Sequence, residues 1–320
     1  MENGDSGKKD KNWRENEPLG IKKHANSASK GSTPTSVRLK GDVAHGEKLV
    51  DNYSNRGINF EKYEGIEVKV TGDNPVDKIE SFYDEEVINV DIQNNLERLG
   101  YSQPTPVQKH AIPNILLGRD LMACAQTGSG KTAAFLIPVI HNILDQGILP
   151  SKQSPKDPVT PQVIAVAPTR ELAVQICDEV RRYSAGTSLK CVSAYGGVPS
   201  IDQISLIRRG CNILTATPGR LLDFIEQRII GLYNLKILIL DEADRMLNLG
   251  FKENIIELVR NPDMPGNRHR QTLMVSATFP VEIQRLAADF LTASYIFVSV
   301  GILGAANSDV NQKIIQEFIS

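Results

Sequence analysis

Short, continuously apolar runs alternate along most of this chain with amphipathic stretches whose apolar residues recur at helical spacing. Seven runs predict buried strands: Asp120–Ala125, Val163–Ala167, Cys191–Tyr195, Asn212–Ala216, Lys236–Leu240, Thr272–Val275 and Tyr295–Val300. The stretches around them predict helices: Pro106–Leu117, Lys131–Leu144, Arg170–Ser184, Gly219–Gln227, Asn254–Val259 and Val281–Leu291. Strands that are apolar on both faces and separated by helices indicate a parallel sheet covered on both sides. The pattern therefore predicts an α/β domain with a doubly wound, mostly parallel sheet of about seven strands.

The region before these runs has a different pattern. In residues 1–56, apolar residues occur singly among Lys, Asn, Ser, Gly and Asp. We expect a disordered tail there, because such a segment buries too little apolar surface to offset the entropy of ordering it. In residues 57–78, Ile66, Val68 and Val70 alternate with polar residues, which predicts an extended arm packed on the domain. The folded domain is expected to cover residues 79–301.

Composition narrows the class of protein. The 320 residues are 41% apolar and 23% charged, enough for one large domain with additional segments. A net charge of −2 requires any nucleic-acid site to be a local patch of Lys and Arg. The four cysteines are widely spaced, without a C-x-x-C pair, and predict reduced, mostly buried thiols. No apolar run is long enough to span a membrane, and the N-terminus lacks a signal core, so we expect a soluble intracellular protein.

A glycine-rich loop joins the first predicted strand to a predicted helix. Its residues are Ala125, Gln126, Thr127, Gly128, Ser129, Gly130, Lys131 and Thr132. The glycines let backbone N–H groups point at phosphate oxygens, Lys131 would reach the β- and γ-phosphates, and the Thr132 hydroxyl would bind Mg²⁺. Ala125 departs from the general motif, which begins with Gly. A chance glycine-rich turn is the alternative, and the strand and helix on either side argue against it.

A second element has the chemistry of a metal and water site. The apolar strand Lys236–Leu240 leads into Asp241 and Glu242. Asp241 is expected to bind Mg²⁺ directly or through water, and Glu242 to orient and deprotonate the attacking water. An acidic cluster after a strand is otherwise an ordinary helix N-terminus with favourable charge. Together with the Lys131 loop, it predicts a P-loop NTPase.

The residues Asp241-Glu242-Ala243-Asp244 also make the chain resemble the DEAD-box RNA helicases, whose name they spell. Residues 101–108, YSQPTPVQ, are similar to that family's Q motif. The resemblance implies that Gln108 reads the edge of adenine and that Phe82 is the aromatic residue that stacks near the base. It covers the chain from about residue 57 onwards, and the segments GINFEKY and QKHAIP resemble the Vasa and Belle group, with VGILGAANSDVNQK closer to Vasa.

Further segments resemble the family's RNA-backbone and coupling motifs. The RNA-backbone candidates are Pro168, Thr169, Arg170, Gly197, Thr217, Gly219 and Arg220. The resemblance implies that Ser276 and Thr278 couple the ATP state to unwinding. Hydroxyls, guanidinium groups and backbone N–H groups after strands would grip phosphates without reading bases. Taken singly, each cluster would more often be an ordinary helix cap with a salt bridge, whereas the two clusters together in this fold favour phosphate contacts. We interpret Arg208, Arg209 and Arg245 as surface charges.

The resemblance implies a RecA-like domain that binds ATP, Mg²⁺ and RNA with little sequence preference. A second RecA-like domain would carry the arginine fingers, and residues 302–320 would begin the interdomain region, where the chain is truncated. We therefore expect nucleotide binding, very slow ATP hydrolysis and no unwinding from this chain alone. The resemblance to Vasa implies germ-granule or translation-factor partners, the cytoplasm and perinuclear ribonucleoprotein granules.

Two other functions stay open. A DNA helicase or another P-loop motor would share the Lys131 loop, and the Q-like segment at Gln108 argues against it. A non-catalytic RNA clamp or scaffold in a granule would have no need of intact Lys131, Asp241 and Glu242. Turnover of ATP by the chain with a second domain would distinguish the clamp from the enzyme.

Overall fold

The computed structural model describes residues 65–84, 87–152 and 154–301. The predictions of a disordered tail in residues 1–56 and of an interdomain segment in residues 302–320 lie outside the described residues, as does the first part of the predicted arm.

One mostly parallel sheet forms the centre of the described domain, as the apolar runs predict. Its strands are β1 Val68–Thr71, β2 Leu121–Ala125, β3 Val163–Val166, β4 Cys191–Ala194, β5 Ile213–Ala216, β6 Ile237–Leu240, β7 Gln271–Ser276 and β8 Ile296–Val300. The order across the sheet is β1-β8-β2-β7-β6-β3-β5-β4. All neighbouring pairs are parallel except β1, which pairs antiparallel with β8. The seven predicted strands are β2 to β8, and β1 adds an eighth.

Helices connect the parallel strands. They are α1 Val90–Arg98, α2 Pro106–Leu116, α3 Lys131–Gln146, α4 Arg170–Tyr183, α5 Ile201–Arg208, α6 Pro218–Glu226, α7 Ala243–Asn248, α8 Lys252–Arg260 and α9 Val281–Phe290. The pattern of the sequence predicts six of these and misses α1, α5 and α7. In α1 and α5, few apolar residues mark a helical face. α7 is a six-residue helix that begins within Asp241–Asp244, which we name the acidic segment.

Apolar side chains fill both sides of the sheet. Along β2, Leu121, Ala123 and Ala125 belong to the core on one side, whereas Met122 and Cys124 belong to the core on the other. Successive side chains of a strand point to opposite faces, so a strand buried on both faces has the continuous apolar run seen in the sequence. The four cysteines are buried and free. Within the described ranges, no helix combines the length and apolar character needed to cross a membrane.

The edge strand β1 is fastened to the domain by main-chain and side-chain bonds. Val68 pairs with Val300, and Thr71 pairs with Phe297. The guanidinium of Arg119 donates to the Asp73 carbonyl at 2.6 Å and to the Ser294 carbonyl at 2.8 Å. Arg119 thus joins the segment that follows β1 to the segment that precedes β8.

The parallel strands β2 to β8 run in one direction, so their carboxyl ends share one edge of the sheet. Ligands of doubly wound sheets bind at this edge. The loops after β2, β7 and β6 lie next to one another there, and those after β3, β5 and β4 continue along the same edge.

Candidate nucleotide-binding site

The loop after β2 has the backbone of a phosphate-binding loop. Gly128 and Gly130 have φ angles of +83° and +87°, which residues with a side chain adopt only with strain. α3 begins directly after the loop, at Lys131, so the N-terminus of a sixteen-residue helix points into the loop. A Cβ on Gly130 would also lie 2.5 Å from the Gln108 amide nitrogen. The loop therefore requires glycine at position 130 for its conformation and for its packing.

Lys131 lies within this loop. Its ammonium donates to the Ala125 carbonyl and, at 2.8 Å, to the Gln126 carbonyl. Burial lowers the pKa of Lys131, and the negative charge of Asp241 opposes this shift. A cation held by carbonyl dipoles beside a helix N-terminus is placed to accept phosphate oxygens as new partners. Thr132, the next residue, is half-buried at the first turn of the same helix.

Asp241 follows β6 and is almost completely buried. Burial, together with the neighbouring charges of Glu242 and Asp244, raises the pKa of Asp241 to about 7, although the bond from the Glu242 backbone N–H and the charge of Lys131 oppose this shift. The Glu242 backbone N–H donates to one Asp241 carboxylate oxygen at 2.9 Å. A buried carboxylate that is costly to ionise gains most from a nearby cation, as a metal ligand does.

The residues present fit Mg²⁺. The Asp241 carboxylate and the Thr132 hydroxyl are hard oxygen donors, and Mg²⁺ in nucleotide sites is held by one or two such groups together with phosphates. Among the described residues, no group of three or more His, Cys, Asp or Glu side chains could hold a metal by itself. A Mg²⁺ ion here would take part of its shell from these two residues and more of it from the phosphates of a nucleotide.

Glu242 has an unusual backbone conformation for a residue with a side chain, with φ and ψ of 49° and 51°. Such left-handed positions cost free energy and concentrate at functional sites. Its carboxylate accepts a bond of 3.1 Å from the Arg245 guanidinium. Sequence reasoning left Arg245 as a surface charge, although the spacing of three residues on a helix is a signal for such a pair.

The residues expected to couple ATP to unwinding adjoin this acidic segment. Thr278 donates to one Asp244 carboxylate oxygen twice, from its backbone N–H at 3.0 Å and from its hydroxyl at 2.7 Å. Burial raises the pKa of Asp244, but the hydrogen bonds to its carboxylate, among them those from Thr278 and from the Arg245 backbone N–H, together outweigh burial and lower the pKa below its ordinary value. Ser276 is fully buried at the end of β7, between the loops of Lys131 and Asp241. The structure thus joins the ends of β6 and β7.

Gln108 is buried beneath the phosphate-binding loop. Its amide oxygen accepts from the Thr105 backbone N–H at 2.8 Å, and its amide nitrogen donates to the Gly130 carbonyl at 3.0 Å. The Thr105 hydroxyl donates to the Ser129 carbonyl at 2.8 Å. The first turn of α2 therefore fastens the loop from below. The reading of adenine by Gln108 stays a prediction.

Phe82 does not have the environment that the sequence interpretation gave it. The ring is fully buried and makes edge-to-face contacts with Tyr101, at a centroid distance of 5.9 Å, and with Tyr83, at 6.5 Å. A ring enclosed by core side chains offers no face to a base, so the expected stacking of Phe82 near the nucleotide is corrected to a core role. Aromaticity in the sequence does not distinguish these two environments.

The loop after β3 holds the first of the expected RNA-contact groups. Pro168 is buried, and Thr169 begins α4 by accepting the Leu172 N–H at 3.3 Å. The guanidinium of Arg170 lies 4.7 Å from the centroid of the Tyr195 ring. Arg170 is exposed, so this cation–π contact orients the side chain at the surface. Tyr195 was not among the residues singled out in the sequence.

The loops after β5 and β4 hold the remaining residues that were expected to contact RNA. Arg220 donates to the Val198 carbonyl at 3.0 Å and lies 3.5 Å from the Asp223 carboxylate, which joins the two loops. Gly219 and Gly197 are exposed, and Gly197 has a φ of +80°. The predicted residues therefore form two adjacent groups on one sheet edge. One is the Lys131 loop with the acidic segment; the other is a row in which Arg170, Gly197 and Gly219 are exposed and Thr169, Thr217 and Arg220 are half-buried.

Comparisons with known proteins agree with this geometry. The family model for the DEAD/DEAH box helicase matches residues 105–286. The human probable ATP-dependent RNA helicase DDX4 is 51% identical over 260 residues, which are 81% of this chain and 36% of that protein. A probable ATP-dependent RNA helicase described as vasa-like, from Penaeus vannamei, is 48% identical over 259 residues, with the same two shares. The chain spans little more than a third of the length of these relatives.

Solved structures show the same architecture. The RNA helicase Prp28 from Chaetomium thermophilum, bound to ADP, aligns with a TM-score of 0.65 and 32% identity, covering 81% of this chain and 61% of that chain. A DEAD box protein from the hyperthermophile Methanococcus jannaschii aligns with a TM-score of 0.60 and 34% identity, covering 70% and 57%.

Proposed function

Because this chain belongs to the DEAD/DEAH box helicase family, we propose that it is the ATP-binding part of an ATP-dependent RNA helicase. The observation that carries the proposal is the meeting of Lys131, Asp241, Glu242 and Thr278 at one sheet edge, beside the row of glycine, threonine and arginine residues in the loops after β3, β5 and β4. Phosphoryl transfer requires a loop that binds phosphates, a metal ligand and a general base within one site.

The phosphate-binding loop binds the triphosphate of ATP. Backbone N–H groups of Gly128 to Lys131 and the N-terminus of α3 stabilise the phosphate charge. The Lys131 ammonium exchanges the carbonyls of Ala125 and Gln126 for β- and γ-phosphate oxygens. Gln108 and Thr105 hold the loop in place while this exchange occurs.

Asp241 and Thr132 hold Mg²⁺, which supplies charge neutralisation at the phosphates when bound. Glu242 orients the attacking water and takes its proton. The Arg245 guanidinium holds one Glu242 carboxylate oxygen at 3.1 Å, which leaves the other oxygen to accept the proton. The bonds from Thr278 to Asp244 then transmit a change at the acidic segment to the end of β7.

RNA binds along the loops after β3, β5 and β4. Thr169, Arg170, Gly197, Thr217, Gly219 and Arg220 offer hydroxyl, guanidinium and backbone N–H groups. These groups contact phosphates and sugars, so binding tolerates any sequence and weakens with salt. The curated relatives are longer than this chain, and a second RecA-like domain in the whole protein supplies the remaining RNA contacts and the arginine fingers. ATP hydrolysis by the chain alone is slow, since an arginine finger contributes about 10³–10⁵ in rate.

Titration of the chain with a fluorescent ATP analogue tests the nucleotide site. We expect Lys131→Ala to weaken binding at least about tenfold, because the variant loses a charged phosphate contact. Lys252→Ala is the matched control, since Lys252 is an exposed first-turn lysine of another helix, α8. Equal affinities of the wild-type chain and both variants would contradict the assignment of the loop.

A further inference from the structure

Four positively charged side chains converge at the C-terminal end of α5. They are Lys152, Lys190, Arg208 and Arg209, and we name them the basic cluster. The Lys152 ammonium donates to the Arg208 carbonyl at 2.6 Å, and the Lys190 ammonium donates to the Arg209 carbonyl at 3.1 Å. Both lysines therefore lie at the same helix end as the two arginines, and Lys190, Arg208 and Arg209 are exposed.

The helix end does not account for this much charge. A helix C-terminus carries about half a negative charge, which favours one nearby cation rather than four. Among the described residues, no ion pair includes a member of the basic cluster. The acidic residue of α5, Asp202, lies in the first turn at the opposite end. Since the whole chain has a net charge of −2, the cluster is a local concentration rather than a general property of the surface.

The position of α5 relates the cluster to the exposed loops. α5 begins shortly after Gly196 and Gly197, and its eight residues span about 12 Å. Gln203 of α5 accepts the Tyr195 N–H at 2.9 Å and donates to the Tyr195 carbonyl at 3.1 Å. Tyr195 in turn lies under Arg170. α5 therefore runs from the proposed RNA loops, at the carboxyl ends of the strands, to the basic cluster beside the amino ends of β4 and β5.

We propose that the basic cluster binds the phosphate backbone of the RNA strand beyond the loops, so that the RNA site extends along α5. This rests on the proposed function, because the loops after β3, β5 and β4 must hold the same strand. The separation of about 12 Å along α5 is short compared with the length of an RNA strand, and charge complementarity to a phosphate backbone favours RNA over an acidic peptide as the occupant. Exposed lysine and arginine side chains without acidic partners suit phosphates, and they carry no base readout.

Fluorescence anisotropy of single-stranded RNA of two lengths, about five and about fifteen nucleotides, tests the proposal with the full chain. The variant is Lys190→Gln, Arg208→Gln and Arg209→Gln together. The matched control replaces Lys252, Arg260 and Arg268, which are exposed residues at a different surface, with Gln. A double variant, Arg208→Gln with Arg209→Gln, leaves both lysine contacts to the helix end in place, so a folding defect of the triple variant does not decide the result.

The triple variant should bind the longer RNA about tenfold more weakly at low salt, and the slope of log affinity against log salt should become shallower by about 2. The shorter RNA should bind unchanged, and the control variant should match the wild-type chain. Arg220→Ala should weaken both lengths. Two results would overturn the proposed role of the basic cluster and leave the proposed function standing. In one, the control variant loses as much affinity for the longer RNA as the triple variant does. In the other, the triple variant loses no affinity although Arg220→Ala weakens binding. Failure of the wild-type chain to bind either length would overturn both. Binding of labelled polyglutamate to the wild-type chain but not to the triple variant, without RNA binding, would identify an acidic peptide instead.

Discussion

Replacing Gln108 with Ala tests how the phosphate-binding loop is held. The amide makes two hydrogen bonds in a buried position, to the Thr105 N–H and the Gly130 carbonyl. The variant leaves both backbone groups without these partners, and an unsatisfied buried group costs about 1–3 kcal/mol. We therefore expect the free energy of unfolding to fall by about 2–4 kcal/mol in urea titrations. Gln175→Ala, an exposed glutamine-to-alanine change on α4, should alter it by less than about 0.5 kcal/mol.

Nucleotide titrations of the same variant separate two roles of this residue. If Gln108 only holds the loop, ATP and GTP analogues should lose affinity by the same factor, at least about tenfold. If Gln108 also reads adenine, as the family resemblance implies, the ATP analogue should lose more. An unchanged free energy of unfolding together with unchanged affinity for both nucleotides would refute the reasoning from its buried hydrogen bonds.

Three further perturbations have defined outcomes. Arg245→Gln should lower the free energy of unfolding by less than about 1 kcal/mol, because its ion pair with Glu242 is partly exposed; a loss above 2 kcal/mol would show a larger structural role. Gly130→Ala should weaken ATP-analogue binding at least about tenfold, because φ is +87° and a Cβ would meet a buried amide; wild-type affinity would contradict this. Burial lowers the pKa of His141, whose Nδ1 accepts the Asn89 N–H, so its stabilising contribution is present above the unfolded pKa of about 6.5 and is lost as the pH falls below it. His141→Asn should therefore gain stability relative to the wild-type chain as the pH falls from 7 to 5. If the free energies of unfolding of the two proteins, measured in urea, change in parallel with pH, His141 is not the source of the pH dependence.

Much of the fold follows from local patterns in the sequence. β3, β5 and β6 are buried on both faces, so their apolar runs mark them without knowledge of their neighbours. β1 has only a short alternation, and its antiparallel pairing with β8 depends on residues more than two hundred positions away. α5 exposes Ile201 and Leu206, so its apolar residues do not mark one buried face.

The site could be predicted where chemistry and spacing are local. The Lys131 loop and Asp241 follow strands at fixed positions, so the sequence places them at the sheet edge. Contacts between residues far apart in the sequence could not be predicted, because only the folded chain brings together Arg170 and Tyr195 or Gln108 and Gly130. Phe82 was misjudged because residue type alone does not reveal whether a ring faces the core or a ligand.

The ATPase rate of this chain joined to a second RecA-like domain, with and without single-stranded RNA, tests the helicase proposal most directly. We expect RNA to stimulate turnover, and Lys131→Ala and Glu242→Gln each to abolish the stimulated rate while the protein stays folded. ATP binding without turnover in the wild-type protein would contradict the enzyme and favour a non-catalytic RNA clamp.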